Sequence, residues 1–129
     1  MRADLGKKYK LCSHKLIEHV YKNGATTKNY PFKLISIPAD LAVDVPFQIV
    51  FAVPKRNFKK AVERNHIKRL MREAVRKNKG TLLNISTQKN QQLALFLLYS
   101  GREIISYSEI EHKIVVLFER LEKLYLNHE

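Results

Sequence analysis

The sequence predicts an α/β fold, a two-layer α-β sandwich in which helices pack on a small sheet in the order α-β-β-α-β-α. Three observations carry this prediction. Phe47, Ile49, Phe51 and Val53 alternate toward one face, as a half-buried strand requires. Leu93 to Tyr99 is apolar on both faces, the pattern of a central strand. Two long segments, starting near Asn57 and at Ser106, repeat apolar residues at helical spacing and so need one stripe buried against a sheet.

Each element has its own signals. Ser13 can cap a short helix whose Leu16, Ile17, Val20 and Tyr21 share one side, and Gly24 ends it. A polar turn follows, then a strand from Phe32 to Ile37 and a loop from Pro38 to Pro46. Pro54 ends the strand that begins at Phe47, because proline cannot donate to a ladder. A helix starting between Asn57 and Val62 runs to about Lys79, where Gly80 closes it. The last helix opens with Ser106 and Glu109 in capping-box spacing and carries Ile110, Ile114, Leu117, Phe118, Leu121 and Leu124 as its stripe. The turn regions leave room for one further strand.

Length and composition bound the function classes. A chain of 129 residues fits one domain, 1–129, with one modest core. The longest apolar run is too short to span a bilayer, which takes about 20 residues, and the first ten residues hold no apolar signal core. These features lead us to expect no membrane partner. A single cysteine, Cys12, excludes an internal disulfide and a Cys-rich zinc site and suits the reducing cytoplasm; we expect it to be a small, partly buried thiol.

Charge points to a partner. The chain holds 24 Lys plus Arg against 12 Asp plus Glu, a formal +12. Pro54 to Lys79 alone carries eleven basic and two acidic residues, whereas the segment from Glu103 onward is net acidic. At about 100° per residue, Ile67, Leu70, Met71, Ala74 and Val75 form a buried stripe, while Asn65, Lys68, Arg69, Arg72 and Arg76 fall within an arc of about 100° on the other side. Arginine forks hold phosphate oxygens bidentately and lysine acts as a point charge, so this arc suits a phosphodiester backbone. A basic helix face can also be merely solvated, but five such groups with few balancing acids favour RNA or DNA.

A catalytic site carried by the protein itself is not expected. The three Asp residues, Asp4, Asp40 and Asp44, form no closely spaced carboxylate pair of the kind a two-metal site uses. His14 and His19 are five apart and share a helix face poorly, and Cys12 has no base at a meaningful spacing.

The run A-V-E-R-N-H-I-K-R-L-M-R-E, Ala61 to Glu73, preceded by F-A-V-P-K-R, Phe51 to Arg56, resembles the signature of the bacterial ribonuclease P protein subunit. Further counterparts are Lys10–Leu11, V-Y-K-N-G from Val20 to Gly24, Phe32, and Ser106 with its closing helix. The resemblance implies work with a large catalytic RNA that removes the 5′ leader of precursor tRNA. It also implies Mg2+ held by that RNA, no cofactor, metal or catalytic residue on the protein, and no protein partner. By resemblance, Arg64, Asn65, His66, Lys68, Arg69, Arg72 and Arg76 contact RNA. Tyr21, Phe51, Lys55 and Arg56 line a leader cleft between the first helix and the sheet, and a left-handed βαβ crossover is implied, against the general rule. Four positions depart from the family pattern: His66 replaces the second Arg of an Arg-Asn-Arg motif, Ile17 and Ile35 stand where aromatics are usual, and Pro54 replaces a Ser. The alternative is a general RNA-binding protein, such as a ribosome-associated factor, using the same arc.

Overall fold

The structure, a computed structural model, describes residues 5–126. A 3-10 turn at Lys7–Tyr9 leads to α1 (His14–Asn23), β1 (Ala25–Asn29), β2 (Phe32–Pro38), β3 (Phe47–Ala52), α2 (Ala61–Lys77), α3 (Gly80–Lys89), β4 (Leu93–Tyr99) and α4 (Tyr107–Leu126). The four strands lie in the order β1-β2-β4-β3. β2 pairs antiparallel with β1 and with β4, and β3 pairs parallel with β4.

Two elements go beyond the sequence reading. The polar turn after Gly24 is β1, an edge strand joined to β2 through Tyr30 and Pro31, whose peptide bond is cis. Its Thr26 and Lys28 are exposed, so no apolar alternation marks it. Gly80 does not simply close a helix: α2 ends at Lys77, capped by Asn78, and Gly80 opens α3. α3 buries only Leu82 and Ile85, too few apolar positions to show a periodic stripe.

Strand alternation divides the sheet into two faces. Phe47, Ile49, Leu34, Leu95, Leu97 and Tyr99 join buried side chains of α2, α3 and α4 in the main core. On the other face, Ile35 and Ala94 pack with Leu11 and with Val20 of α1, flanked by Val50 and Phe96. The α-β sandwich therefore carries a third, single-helix layer. α1 is set by Ser13, whose hydroxyl accepts from the Leu16 N–H at 3.3 Å. On α4, Ser106 Oγ accepts from the Glu109 N–H at 3.2 Å. Ile110, Ile114, Leu117, Phe118 and Leu121 are buried as expected, but Leu124 is 48% exposed and Tyr125 packs against the core instead. The Tyr125 hydroxyl reaches Ser36 Oγ at 3.1 Å, and burial pushes its pKa above the ordinary tyrosine value.

Gly24 fixes the angle between α1 and β1. A Cβ there would stand 2.7 Å from Ile35 Cγ2, 2.7 Å from the Val20 carbonyl oxygen and 2.8 Å from the Ser36 carbonyl oxygen. Two of these atoms are backbone and cannot swing aside. Gly24→Ala should therefore cost about 1–3 kcal/mol, read as a lower midpoint in thermal unfolding, because overpacking must displace α1 or β2.

Candidate nucleic-acid interface

α2 forms because the run from Ala61 to Lys77 contains no glycine or proline and closes a buried stripe of Ile67, Met71, Ala74 and Val75, with Leu70 packed beside it. That docking turns Asn65, Arg69 and Arg72 to solvent and leaves Lys68 partly exposed. These four groups make one continuous cationic and amide surface. The Arg72 guanidinium lies over the Phe51 ring, 5.4 Å from its centroid, which orients it without neutralising it.

Three other residues of the expected RNA face have local engagements. Arg64 Nη1 donates to the carbonyls of Phe58 at 2.7 Å and Lys59 at 3.0 Å, so it ties the start of α2 to the preceding loop. Arg76 is half-buried and paired with Glu73, Nε to Oε1 at 2.9 Å and Nη2 to Oε2 at 2.5 Å. Its charge is largely balanced within the helix. His66 is exposed but lies outside the arc, in a shallow recess with Val62, Glu63, Asn65, Arg69 and Ile104.

Lys55 and Arg56 are exposed in the loop after β3. Asn57 anchors that loop to the end of β4, its Nδ2 donating to the Ser100 and Gly101 carbonyls at 3.3 Å each. Tyr21 is 57% exposed on α1, its ring centroid 5.5 Å from that of Phe96 on β4. Phe51 does not share that surface. It alternates with Phe47 and Ile49 and packs on the α2 side, so the expected four-residue cleft is not one site. Phe96 takes the place of Phe51 beside Tyr21, with Val50 opposite it in register. Sequence reading missed Phe96 because an all-apolar strand does not reveal which side chain stays half exposed.

Among the described residues, no group of three or more His, Cys, Asp or Glu side chains could hold a metal ion. Cys12 is exposed, not partly buried as the sequence suggested, because it sits just before α1 while its neighbour Leu11 takes the buried position. Asp4 lies outside the described residues. No helix among them is long and apolar enough to cross a membrane.

The family model for ribonuclease P matches residues 5–122. The chain belongs to the ribonuclease P protein family. A curated relative, the ribonuclease P protein component of Chlorobaculum tepidum, is 33% identical over 93 residues, covering 67% of this chain and 60% of that protein. The match thus spans less than two thirds of that relative's length. The ribonuclease P fold itself is evident in solved structures. The RNase P protein from Thermotoga maritima superposes with a TM-score of 0.68 at 20% identity, over 86% of this chain and 96% of that one. The Staphylococcus aureus RNase P protein superposes with a TM-score of 0.66 at 18% identity, over 91% and 97% of the two chains.

Proposed function

We propose that the chain is the protein subunit of a ribonuclease P ribonucleoprotein, which binds the catalytic RNA and the 5′ leader of precursor tRNA and promotes leader removal in the cytoplasm. Membership of the family supports this reading. The observation that carries it is the solvent-facing surface of Asn65, Lys68, Arg69 and Arg72, whose cations and amide suit phosphate oxygens. In this reading the catalytic metal, Mg2+, is held by the RNA partner, and the protein contributes binding and positioning.

Reconstitution tests the proposal. Protein freed of RNA should leave precursor tRNA intact, and adding it to the catalytic RNA should speed leader removal. Cleavage by the protein alone would make it an autonomous nuclease. Co-purification with a mixed RNA population, and no effect on the catalytic RNA, would make it a general RNA-binding protein.

The leader belongs on the α1 face, where Tyr21 stands over Phe96. Tyr21→Ala should cost the assembled enzyme about 1–3 kcal/mol in affinity for precursor with a leader and almost nothing for mature tRNA, since only an unpaired base can stack there. Equal losses for both RNAs would point to a disturbed fold.

A further inference from the structure

The groove between the 5–11 segment, β3 and α2 adjoins the cationic arc and shares Asn65, Lys68 and Arg72 with it. It encloses about 590 Å3, within the ~300–1,000 Å3 of pockets that hold small organic groups. Lys7 and Lys10 line it from the amino-terminal segment, Lys68 and Arg72 from α2, and Phe51 from β3. Among the described residues that line it, none is an Asp or Glu. The amino-terminal side is fixed in place. The Leu11 N–H donates to the Ile49 carbonyl at 3.0 Å, and Gln48 Nε2 donates to the Lys8 carbonyl at 2.9 Å. Tyr9 packs its ring 5.0 Å from that of Phe47. The groove is therefore built before any partner arrives.

Its chemistry differs from that of the cationic arc. A phosphate backbone needs cations and has no use for an aromatic ring, whereas an unpaired base needs a planar face and brings its phosphates with it. The Arg72 guanidinium, held over the Phe51 ring with its Cζ 5.4 Å from the centroid, offers such a planar face, backed by the ring and surrounded by lysines. Lys68 and Arg72 belong to the groove and to the arc alike, so an RNA lying on α2 can place a nucleotide in the groove without leaving the helix.

Resting on the reading that α2 binds the catalytic RNA, we propose that this groove receives one unpaired nucleotide of that RNA, its base stacked on the Arg72 guanidinium that Phe51 backs and its phosphates on Lys7, Lys10 and Lys68. The leader is the less suited occupant, because Tyr21 and Phe96 lie on the opposite face of the sheet.

The test uses the full chain with the catalytic RNA, measuring Kd at constant salt and the slope of log K against log salt. Phe51→Leu keeps apolar bulk but removes the ring, and should weaken binding about ten-fold, within the range for losing one stacked base. Phe51→Tyr should recover most of that loss. Lys7→Ala, exposed and remote from the core, should flatten the salt slope by about 0.7, one single-strand phosphate contact. Once assembled at saturating protein, these variants should keep the wild-type ratio of affinities for precursor with a leader and mature tRNA. Wild-type affinity in Phe51→Leu, an unchanged slope in Lys7→Ala, or a loss confined to leader-bearing precursor overturns the groove assignment while the RNA-binding reading stands. A wild-type chain that does not bind the catalytic RNA overturns that reading and the assignment with it.

Discussion

The triple variant Lys68→Ala/Arg69→Ala/Arg72→Ala is expected to lose about two orders of magnitude in affinity for the catalytic RNA. Among the described residues, no ion pair joins Lys68, Arg69 or Arg72 to an acid in the way Glu73 holds Arg76, so each is available to phosphate. Taking about 1 kcal/mol per solvent-facing contact, the upper end for exposed ion pairs, the sum is about 3 kcal/mol, more than a hundred-fold in Kd. The slope of log K against log salt should flatten by roughly two to three, since each lost phosphate contact removes about 0.7–0.9. Stability should change little, because the stripe that docks α2 is untouched. A salt titration decides: an unchanged slope with normal thermal unfolding would take this helix face out of the interface.

Phe118→Ala should produce the largest loss of stability. Phe118 is 1% exposed on α4, in the main core beneath the sheet. Emptying such a site typically costs about 3–5 kcal/mol from lost transfer energy and the residual cavity. For a chain of this size that is a drop of roughly 10–20 °C in unfolding midpoint. Leu124→Ala, six residues on along the same helix, should stay within about 0.5 kcal/mol of wild type because nearly half its surface already meets solvent. Equal effects of the two substitutions would mean that α4 is rotated from the orientation described.

That contrast also shows what a sequence can and cannot reveal. The α4 stripe was legible from Ile110 to Leu121 because five apolar residues at helical spacing have only one way to be buried together. Its last member was not, because near the helix end the hydrogen bond between Tyr125 and Ser36 of β2 favours the tyrosine. α2 and β4 were equally plain, each having an apolar pattern long enough to fix period and face. β1 and α3 were not, since one is polar at an edge and the other buries two side chains.

At the site, helical geometry alone brought Asn65, Lys68, Arg69 and Arg72 together. The engagement of Arg64 with the Phe58 and Lys59 carbonyls depends on the path of a loop that composition does not specify. Phe51 is the instructive error. Its alternation with Phe47 and Ile49 already assigned it to the core face, and placing it beside Tyr21 by resemblance set that parity aside.

The position of β4 has a consequence for how the molecule comes into being. It is the last strand to be made, yet it lies between β2 and β3, which have no ladder with each other. During synthesis neither of those strands can acquire its inner neighbour until the chain has emerged past Tyr99. Until then the nascent protein holds α1, the β1-β2 hairpin, β3 without a ladder partner, and α2 and α3, whose apolar side chains lack much of their cover. Closing the sheet brings together segments distant in sequence, which makes it a slow, late event relative to helix formation. Exposed apolar surface on such an incomplete chain invites association. A truncation ending before Leu93 should therefore be insoluble or captured by chaperones, although it retains the whole RNA-facing helix.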